Sequence, residues 1–308
     1  MIRFDNVHKA YGEHRVLCGL TFDVPDGSVT GIVGPNGSGK TTALKVLSGL
    51  LSPDEGTAYI DGRRYGESDD AGRTLGAFLG HATVPATMTG VGYLNYVADL
   101  LGARRDRVRT YLDIVGLSGA ASQRVGGYSL GMRQRLGLAS ALVGEAKTLV
   151  LDEPVNGLDI EGVKWMRDYL RSSAQAGRCI LLSSHLLSEL ELVADRLVIL
   201  ADGVASREGT IESLRADAIP GVLVACDNPQ TLHPFLTRAG AEATLEPGQV
   251  RVIGRDVPWV AGVVAAAAAA GAHVRVTGIV ESTRGIEDVY LEETSQTERH
   301  PAITEATR

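Results

Sequence analysis

A glycine-rich run near the amino terminus has residue types and spacing suited to holding a phosphate group. It reads Gly34-Pro35-Asn36-Gly37-Ser38-Gly39-Lys40-Thr41-Thr42 and matches the pattern G-x-x-x-x-G-K-S/T. Its glycines let the backbone curl, so that several N–H groups point inward as a nest for phosphate oxygens. In this pattern Lys40 reaches the β- and γ-phosphates of a nucleotide, and the Thr41 hydroxyl binds Mg²⁺. The run therefore predicts a site for a nucleoside triphosphate and a magnesium ion.

The segments on either side of this run are those that a phosphate loop needs. Residues 29–33 are a short apolar stretch that predicts a buried strand, and the apolar residues after Thr42 recur at a helical spacing. The amino-terminal end of such a helix favours an anion. A glycine-rich turn without a ligand is the alternative, and the strand–loop–helix order argues against it.

A second set of chemical groups is the acid pair that ends the run Leu149-Val150-Leu151-Asp152-Glu153. An apolar strand would deliver both carboxylates to one edge of a sheet. Asp152 would hold Mg²⁺ directly or through water. Glu153 would orient and deprotonate an attacking water, a role that contributes ~10²–10⁴ in rate. An acidic strand end without a role is the alternative, and the preceding phosphate loop favours hydrolysis.

The amino-acid composition indicates which kinds of binding partner and which cell compartment to expect. The chain has 308 residues, 44% of them hydrophobic, and a formal net charge of −7. It is long enough for two domains, and its acidic balance predicts no nucleic-acid partner, because such surfaces need clustered Lys and Arg. The three cysteines, Cys18, Cys179 and Cys226, suggest neither a disulfide framework nor a zinc site, which fits a reducing cytosol.

Two segments bear on targeting to membranes. Residues 1–6 lack the apolar core of a signal peptide. Residues 257–272 are uncharged and rich in alanine, but they are shorter than the ~20 residues that a helix needs to cross a bilayer, and proline and glycine interrupt them. We expect a helix packed on a sheet, and we expect any membrane role to come from a partner.

The order of apolar runs predicts an α/β fold. Runs at 148–151, 179–182 and 197–200 are apolar on both faces and alternate with helical patterns, as in a parallel sheet. Because ligands bind at the carboxyl ends of such strands, Gly34, Asp152 and His185 are expected at one edge. Strands at 2–8 and 16–24, and a hairpin with its turn at Asp61-Gly62, are expected before them.

The remaining segments are a mostly helical stretch at about 89–141 and a carboxyl-terminal region without motifs. Leu130 to Leu142 is expected to be a helix capped by Ser129. Strands are expected at 222–225, 243–247, 250–253 and 274–276, with helices at 229–239, 258–271 and 284–293. We interpret this region as a small α+β domain of the split β-α-β type, followed by a disordered polar tail at 295–308.

Three further motifs around the acid pair make the resemblance to a family specific. Tyr128-Ser129-Leu130-Gly131-Met132-Arg133-Gln134-Arg135 precedes Asp152, Pro154-Val155-Asn156-Gly157-Leu158-Asp159 follows Glu153, and Ser184-His185 comes later. This order resembles the ATP-binding subunit of ABC transporters over roughly residues 2–210. The resemblance implies a P-loop NTPase cassette at 1–210, with an antiparallel β subdomain and a helical subdomain at about 89–141. An accessory domain at 211–294 would follow.

The resemblance also implies roles for individual residues. Tyr11 would stack on adenine, and Ser129, Gly131 and Met132 would face the γ-phosphate of ATP bound by another copy. Asp159 would link the two sites of the resulting dimer. His185 would contact the γ-phosphate and act in catalysis with Lys40 and Glu153.

Two positions depart from the family pattern. Leu130 replaces the first glycine of the usual Leu-Ser-Gly-Gly-Gln and is expected to crowd the backbone. Gly80 stands where a glutamine that helps to bind Mg²⁺ is usual, with His81 as a substitute. The absence of this glutamine is expected to weaken either Mg²⁺ binding or coupling to the membrane subunit.

The whole pattern is similar to the drug-resistance exporters of the daunorubicin and bacitracin types. It implies an ATPase that works on the cytoplasmic face of the cell membrane with a separate transmembrane permease and a second ATP-binding subunit. A homodimer is expected, and a heterodimer is the alternative. An importer subunit, a non-transport ABC protein acting on ribosomes or DNA, and a regulatory switch with little hydrolysis are the alternatives.

Overall fold

The computed structural model describes residues 1–68, 70–80, 84–156, 158, 160–216, 221–282 and 286–295. The strands are β1 (Ile2–Tyr11), β2 (His14–Val24), β3 (Val29–Val33), β4 (Glu55–Ile60), β5 (Leu75–Leu79), β6 (Thr148–Asp152), β7 (Cys179–Ser184), β8 (Arg196–Ala201), β9 (Val204–Thr210), β10 (Gly221–Cys226), β11 (Glu242–Glu246), β12 (Gln249–Ile253) and β13 (Val276–Ser282). The α-helices are α1 (Lys40–Leu47), α2 (Ala71–Thr74), α3 (Gly90–Leu100), α4 (Val108–Ile114), α5 (Leu130–Leu142), α6 (Ile160–Gln175), α7 (Leu187–Val193), α8 (Ile211–Ala216), α9 (Pro229–Arg238), α10 (Val257–Ala269) and α11 (Ile286–Ser295). These elements fall into two compact units, one containing Met1–Ile211 and the other containing Glu212–Glu292.

The first unit contains a six-stranded sheet with the order β5-β6-β7-β3-β8-β9 in its described part. All its pairings are parallel except that of β8 with β9. Strands β3, β6 and β7 are buried along their whole length, which is why their sequences are apolar on both faces. The predicted parallel sheet is confirmed, and the antiparallel edge strand β9 is an addition that the sequence did not predict.

The register of this sheet brings three strand ends together. Val33 pairs with Ser184, and Asp152 pairs with Ser183. The loop that starts at Gly34 and the residues that follow β6 and β7 therefore leave the sheet at the same edge.

A second sheet of the first unit is antiparallel, with the order β2-β1-β4. One hydrophobic core joins it to the parallel sheet: Phe4 and Phe22 stack with ring centroids 4.6 Å apart, and their cluster includes Leu44 of α1 and Val150 of β6. Leu17 of β2 belongs to the same cluster and approaches the loop after β3, since a β-carbon at Gly39 would lie 2.7 Å from Leu17 Cδ2.

The expected hairpin at Asp61-Gly62 is wrong. Both residues have the positive φ of a tight turn, 50° and 77°, but the chain after them makes only an isolated bridge from Ile60 to Arg63. Strand β4 pairs with β1 instead. The turn at Asp61-Gly62 was predicted correctly, but residues 63–68 lack the alternating apolar residues that a second strand would need.

The helical stretch of the first unit contains α3, α4 and α5. Helix α5 spans the predicted residues and begins at the predicted cap, since the Ser129 side chain accepts a hydrogen bond from the Met132 N–H. This cap leaves the first turn of α5 at the surface, where Ser129 and Leu130 are exposed.

Between α8 and α11, the second unit has the element order β10-α9-β11-β12-α10-β13, and its sheet is antiparallel with the order β11-β12-β10-β13. This is the predicted split β-α-β arrangement. Leu232 of α9 and Val260 of α10 share a core cluster with Val222, Val224 and Val252 of the sheet.

Two predictions for this unit have different outcomes. The alanine-rich segment forms α10, a helix on a sheet as expected, and no described helix has the length and hydropathy needed to span a membrane. The last strand, expected at 274–276, runs instead from Val276 to Ser282, because Gly278 interrupts the apolar alternation without ending the pairing. The predicted tail beyond Ser295 lies outside the described residues.

Candidate active site

The glycine-rich loop after β3 forms the floor of a cavity of about 310 Å³. A β-carbon at Gly34 would lie 2.4 Å from the Leu200 carbonyl oxygen, so the loop passes too close to β8 for any side chain at that position. Gly39 has φ +104° and caps α1. The cavity is lined by His14, Val16, Asn36, Gly37, Gly39, Lys40, Thr41, Thr42 and Glu153.

Lys40 is a buried cation inside this loop. Its Nζ donates to the carbonyl oxygens of Gly34 at 2.7 Å and Pro35 at 3.1 Å. Burial lowers the pKa of the Lys40 ammonium, whereas the nearby carboxylates of Glu153 and Asp152 act in the opposite direction. A desolvated positive charge therefore stands at the cavity wall, where an anionic ligand would compensate it.

Asp152 is a buried carboxylate held by two hydroxyl groups. Thr41 Oγ1 donates to Oδ2 at 2.8 Å, and Ser183 Oγ donates to Oδ1 at 2.6 Å. A carboxylate and a hydroxyl are the oxygen donors that Mg²⁺ prefers, and Mg²⁺ usually takes one or two carboxylates together with substrate phosphates. Among the described residues no group of three His, Cys, Asp or Glu could hold a metal by itself. The donor set therefore fits Mg²⁺ that arrives with a nucleotide.

Glu153 lies beside Asp152 in an unusual backbone conformation, with φ +50°. Its N–H bonds the Ser183 hydroxyl oxygen at 3.0 Å. Its Oε2 lies 2.8 Å from His185 Nδ1 and accepts from Asn156 Nδ2 at 3.0 Å. The structure thus brings the two predicted catalytic groups, Glu153 and His185, into direct contact.

The carbonyl oxygen of Glu153 is bound as well. It accepts hydrogen bonds from Gln134 Nε2 at 3.2 Å and from the Asn156 N–H at 3.3 Å. Sequence reasoning gave Gln134, Asn156 and Ser183 no individual role. Gln134 and Asn156 belong to motifs that the sequence analysis singled out and Ser183 precedes one, but their contacts with Glu153 depend on tertiary packing, which has no local signal.

The predicted adenine-stacking residue, Tyr11, ends β1 and is 51% exposed. It is not among the residues that line the two described cavities at the glycine-rich loop. His14, which pairs with Tyr11 in the β1–β2 hairpin, and Val16 line both. The second cavity, of about 360 Å³, extends past Pro35 and Ser38 to Asp202. Sequence reasoning missed His14 and Val16, although the hairpin register could have indicated them.

The segment Ser129–Met132, which we call the signature segment, is not among the residues that line the two cavities at the glycine-rich loop. Ser129 Oγ accepts from the Met132 N–H at 3.2 Å, and Gly131 and Met132 are half-buried. Leu130 is 60% exposed and begins the helix without a positive φ. Leucine in place of the usual glycine therefore causes no crowding within the chain, contrary to expectation.

Three other predicted positions have different outcomes. Gly80 follows β5 with φ +89° and open space around a β-carbon. Asp159 and His81 lie outside the described residues.

Comparison with known proteins shows the family. The family model described as ABC transporter matches residues 17–156. The bacitracin transport ATP-binding protein BcrA of Enterococcus faecalis is 36% identical over 217 residues, 70% of this chain and 70% of that protein. The daunorubicin/doxorubicin resistance ATP-binding protein DrrA of Streptomyces peucetius is 33% identical over 314 residues, 97% of this chain and 92% of that protein. A solved dimeric ATP-binding cassette in a post-hydrolysis state with ADP and Pi is 25% identical, with a TM-score of 0.62, over 68% of this chain and 98% of that one. The chain therefore belongs to the ABC transporter family, as an ATP-binding subunit that hydrolyses ATP.

Proposed function

We propose that this ATPase powers export of a drug, antibiotic or other hydrophobic compound through a separate membrane permease. The support is similarity along nearly the whole chain to a daunorubicin/doxorubicin resistance protein, together with a bacitracin transport relative. The proposed location is the cytoplasmic face of the cell membrane, through the permease. Residues 1–210 would form the cassette and 211–294 an accessory domain.

The observation that carries the catalytic part is the contact of His185 with Glu153 beside the Thr41–Asp152 pair. Glu153 would orient and deprotonate the attacking water, and His185 would hold the carboxylate and reach the γ-phosphate. Thr41 and Asp152 would hold Mg²⁺, which would supply positive charge to neutralise the phosphates.

The loop residues Gly34 to Thr42 would bind the phosphates through backbone N–H groups and Lys40. Ser38 supports this role, because its buried hydroxyl has no hydrogen-bond partner in the structure. Tyr11, at the end of the hairpin, would stack on adenine after the ligand binds, since stacking needs only an exposed ring face.

The partner that completes the site would be a second copy of this chain. The signature segment is not among the residues that line the two cavities at the glycine-rich loop, and it presents the amino-terminal end of α5, whose first turn carries no acidic residue. Such an end binds an anion, and Ser129, Gly131 and Met132 would contact the γ-phosphate held by the partner, with Asp159 near the interface. The dimeric cassette with ADP and Pi supports this assembly.

The test uses Glu153→Gln, which keeps the shape of the side chain and removes its basicity. Phosphate release should fall by ~10²–10⁴-fold, and the ATP-loaded variant should elute as a dimer in size-exclusion chromatography. The exposed Glu208 of β9 provides the control, because Glu208→Gln removes a carboxylate outside the site. Equal rates for Glu153→Gln and wild type, or a strict monomer with saturating ATP, would overturn the proposal.

A further inference from the structure

Glu153 is held by contacts from two different elements, one on each side of its α-carbon. On one side, strand β7 binds its N–H through the Ser183 hydroxyl and carbonyl oxygens, at 3.0 and 3.2 Å. On the other side, helix α5 binds its carbonyl oxygen through Gln134 Nε2 at 3.2 Å. The Asn156 N–H, at 3.3 Å, is the other bonded donor to that oxygen in the described structure.

Gln134 is unlike the other polar residues at the start of α5. Its side chain is 4% exposed, whereas Ser129 and Arg133 are exposed. Burying an amide is unfavourable unless the amide is hydrogen-bonded. The Gln134 amide has such a hydrogen bond, which Nε2 donates to the carbonyl oxygen of Glu153.

The backbone of Glu153 depends on such support. A residue other than glycine with φ +50° is in an unfavourable backbone conformation that persists only where its surroundings hold it. Rotation about this backbone would move the carboxylate away from His185 and Asn156. The contact with Gln134 therefore bears on where Oε2 points, although Gln134 does not touch Oε2 itself.

The same helix also begins with the signature segment. Gln134 follows Met132 by two residues and lies in the second turn of α5, so the two are joined by continuous helical backbone. A shift of the first turn of α5 would therefore also move Gln134 and change its hydrogen bond to the Glu153 carbonyl oxygen in the same chain.

We propose that Gln134 is a positioning residue that holds Glu153 in its hydrolytic conformation and ties it to the signature segment on the same helix. This inference rests on the proposed function, in which the signature segment contacts ATP bound by the partner copy. In this inference the buried amide of Gln134 links the signature segment at the proposed dimer interface to Glu153, the proposed general base of the same chain.

The first experiment is Gln134→Met, which keeps the length of the side chain and removes the donor. We expect kcat for ATP hydrolysis to fall about tenfold or more, because one lost hydrogen bond and a displaced carboxylate both act on the chemical step. We expect KM for ATP to stay within about threefold, because ATP-contacting residues are unchanged. Thr148→Val is the matched control: Thr148 is fully buried on β6 with an unpartnered hydroxyl, and its replacement should leave kcat unchanged.

The second experiment combines Gln134→Met with Glu153→Gln. If Gln134 acts through Glu153, the double variant should still form the ATP-loaded dimer by size-exclusion chromatography. Loss of that dimer would mean that Gln134 supports the signature segment rather than Glu153. A kcat within twofold of wild type for the single variant Gln134→Met would mean that Gln134 does not position Glu153. Either result overturns the inference. A wild-type protein that neither hydrolyses ATP nor dimerises with it would instead contradict the proposed function.

Discussion

The hydroxyl of Ser183 donates a 2.6 Å hydrogen bond to Oδ1 of Asp152, its register partner on the neighbouring strand. The same hydroxyl accepts the N–H of Glu153 at 3.0 Å. One fully buried side chain therefore fixes both members of the acid pair, the group suited to Mg²⁺ and the group suited to activating water.

Replacing Ser183 with alanine should damage stability and catalysis together. The change leaves a buried carboxylate oxygen without one of its donors, which costs ~1–3 kcal/mol of the free energy of unfolding. It also removes the hydroxyl acceptor of the Glu153 N–H and leaves the Ser183 carbonyl oxygen at 3.2 Å, so we expect kcat to fall by about tenfold. Urea unfolding and steady-state phosphate release measure the two effects.

Ser48 supplies the control for this prediction. It is also buried, but its hydroxyl donates to the Leu44 carbonyl oxygen at the carboxyl-terminal end of α1. Ser48→Ala should change kcat little. A Ser183→Ala enzyme that unfolds earlier yet keeps the wild-type kcat would show that the hydroxyl supports the fold alone.

The Ser183 contact also shows where sequence reasoning stops. The apolar runs at 148–151 and 179–182 indicated two buried strands, because the apolar pattern of a strand can be read from its own residues. Their carboxyl ends were expected at one edge because the sheet was expected to be parallel. Strand order is not local: nothing in either run indicates that β6 and β7 are neighbours, or that Asp152 faces Ser183. The loop Gly34–Thr42 was predictable because its chemistry is contiguous, whereas the surroundings of Glu153 come from α5, β6 and β7.

The same limit explains the errors at the hairpins. Asp61-Gly62 forms its turn, but the partner of β4 is β1, chosen by the shared core around Phe4 and Phe22. Likewise His14 enters the cavity wall through its pairing with Tyr11 across the β1–β2 turn. Tertiary packing decides both outcomes, and local turn signals do not report it.

The buried ammonium of Lys40 predicts a pH-dependent stability. Burial lowers its pKa in the folded protein, so between that lowered pKa and the ordinary value of about 10.4 the unfolded chain binds more protons. Stability then rises with pH in this window because unfolding takes up a proton. Relative to Lys40→Met, the wild-type protein should therefore gain thermal stability as the pH rises from about 7 to about 10.

Thermal unfolding without nucleotide, at several pH values, measures this difference between the two proteins. Lys45→Met serves as the control, because it removes an exposed positive charge from the same helix. A difference in melting temperature between wild type and Lys40→Met that stays constant with pH, or that changes in favour of the variant, would contradict the prediction.

The affinity for ATP should also fall at least about tenfold in Lys40→Met, since the loop loses its cation.

The two proposed roles of Ser129 can be separated by charge. In the structure its hydroxyl caps α5 by accepting the Met132 N–H, and aspartate and asparagine cap helices as well as serine does. Ser129→Asp and Ser129→Asn should therefore both keep the wild-type melting temperature within a few degrees, because each loses less than about 1 kcal/mol of cap energy.

Only the aspartate would oppose a bound phosphate. If the signature segment faces the γ-phosphate of the partner's ATP, a carboxylate at this position places like charges together and should prevent the ATP-dependent dimer in the Glu153→Gln background. The neutral asparagine should weaken the dimer much less. Analytical ultracentrifugation with saturating ATP measures both variants; equal dimerisation of the two would mean that position 129 does not meet a phosphate, because only an adjacent anion distinguishes Asp from Asn there.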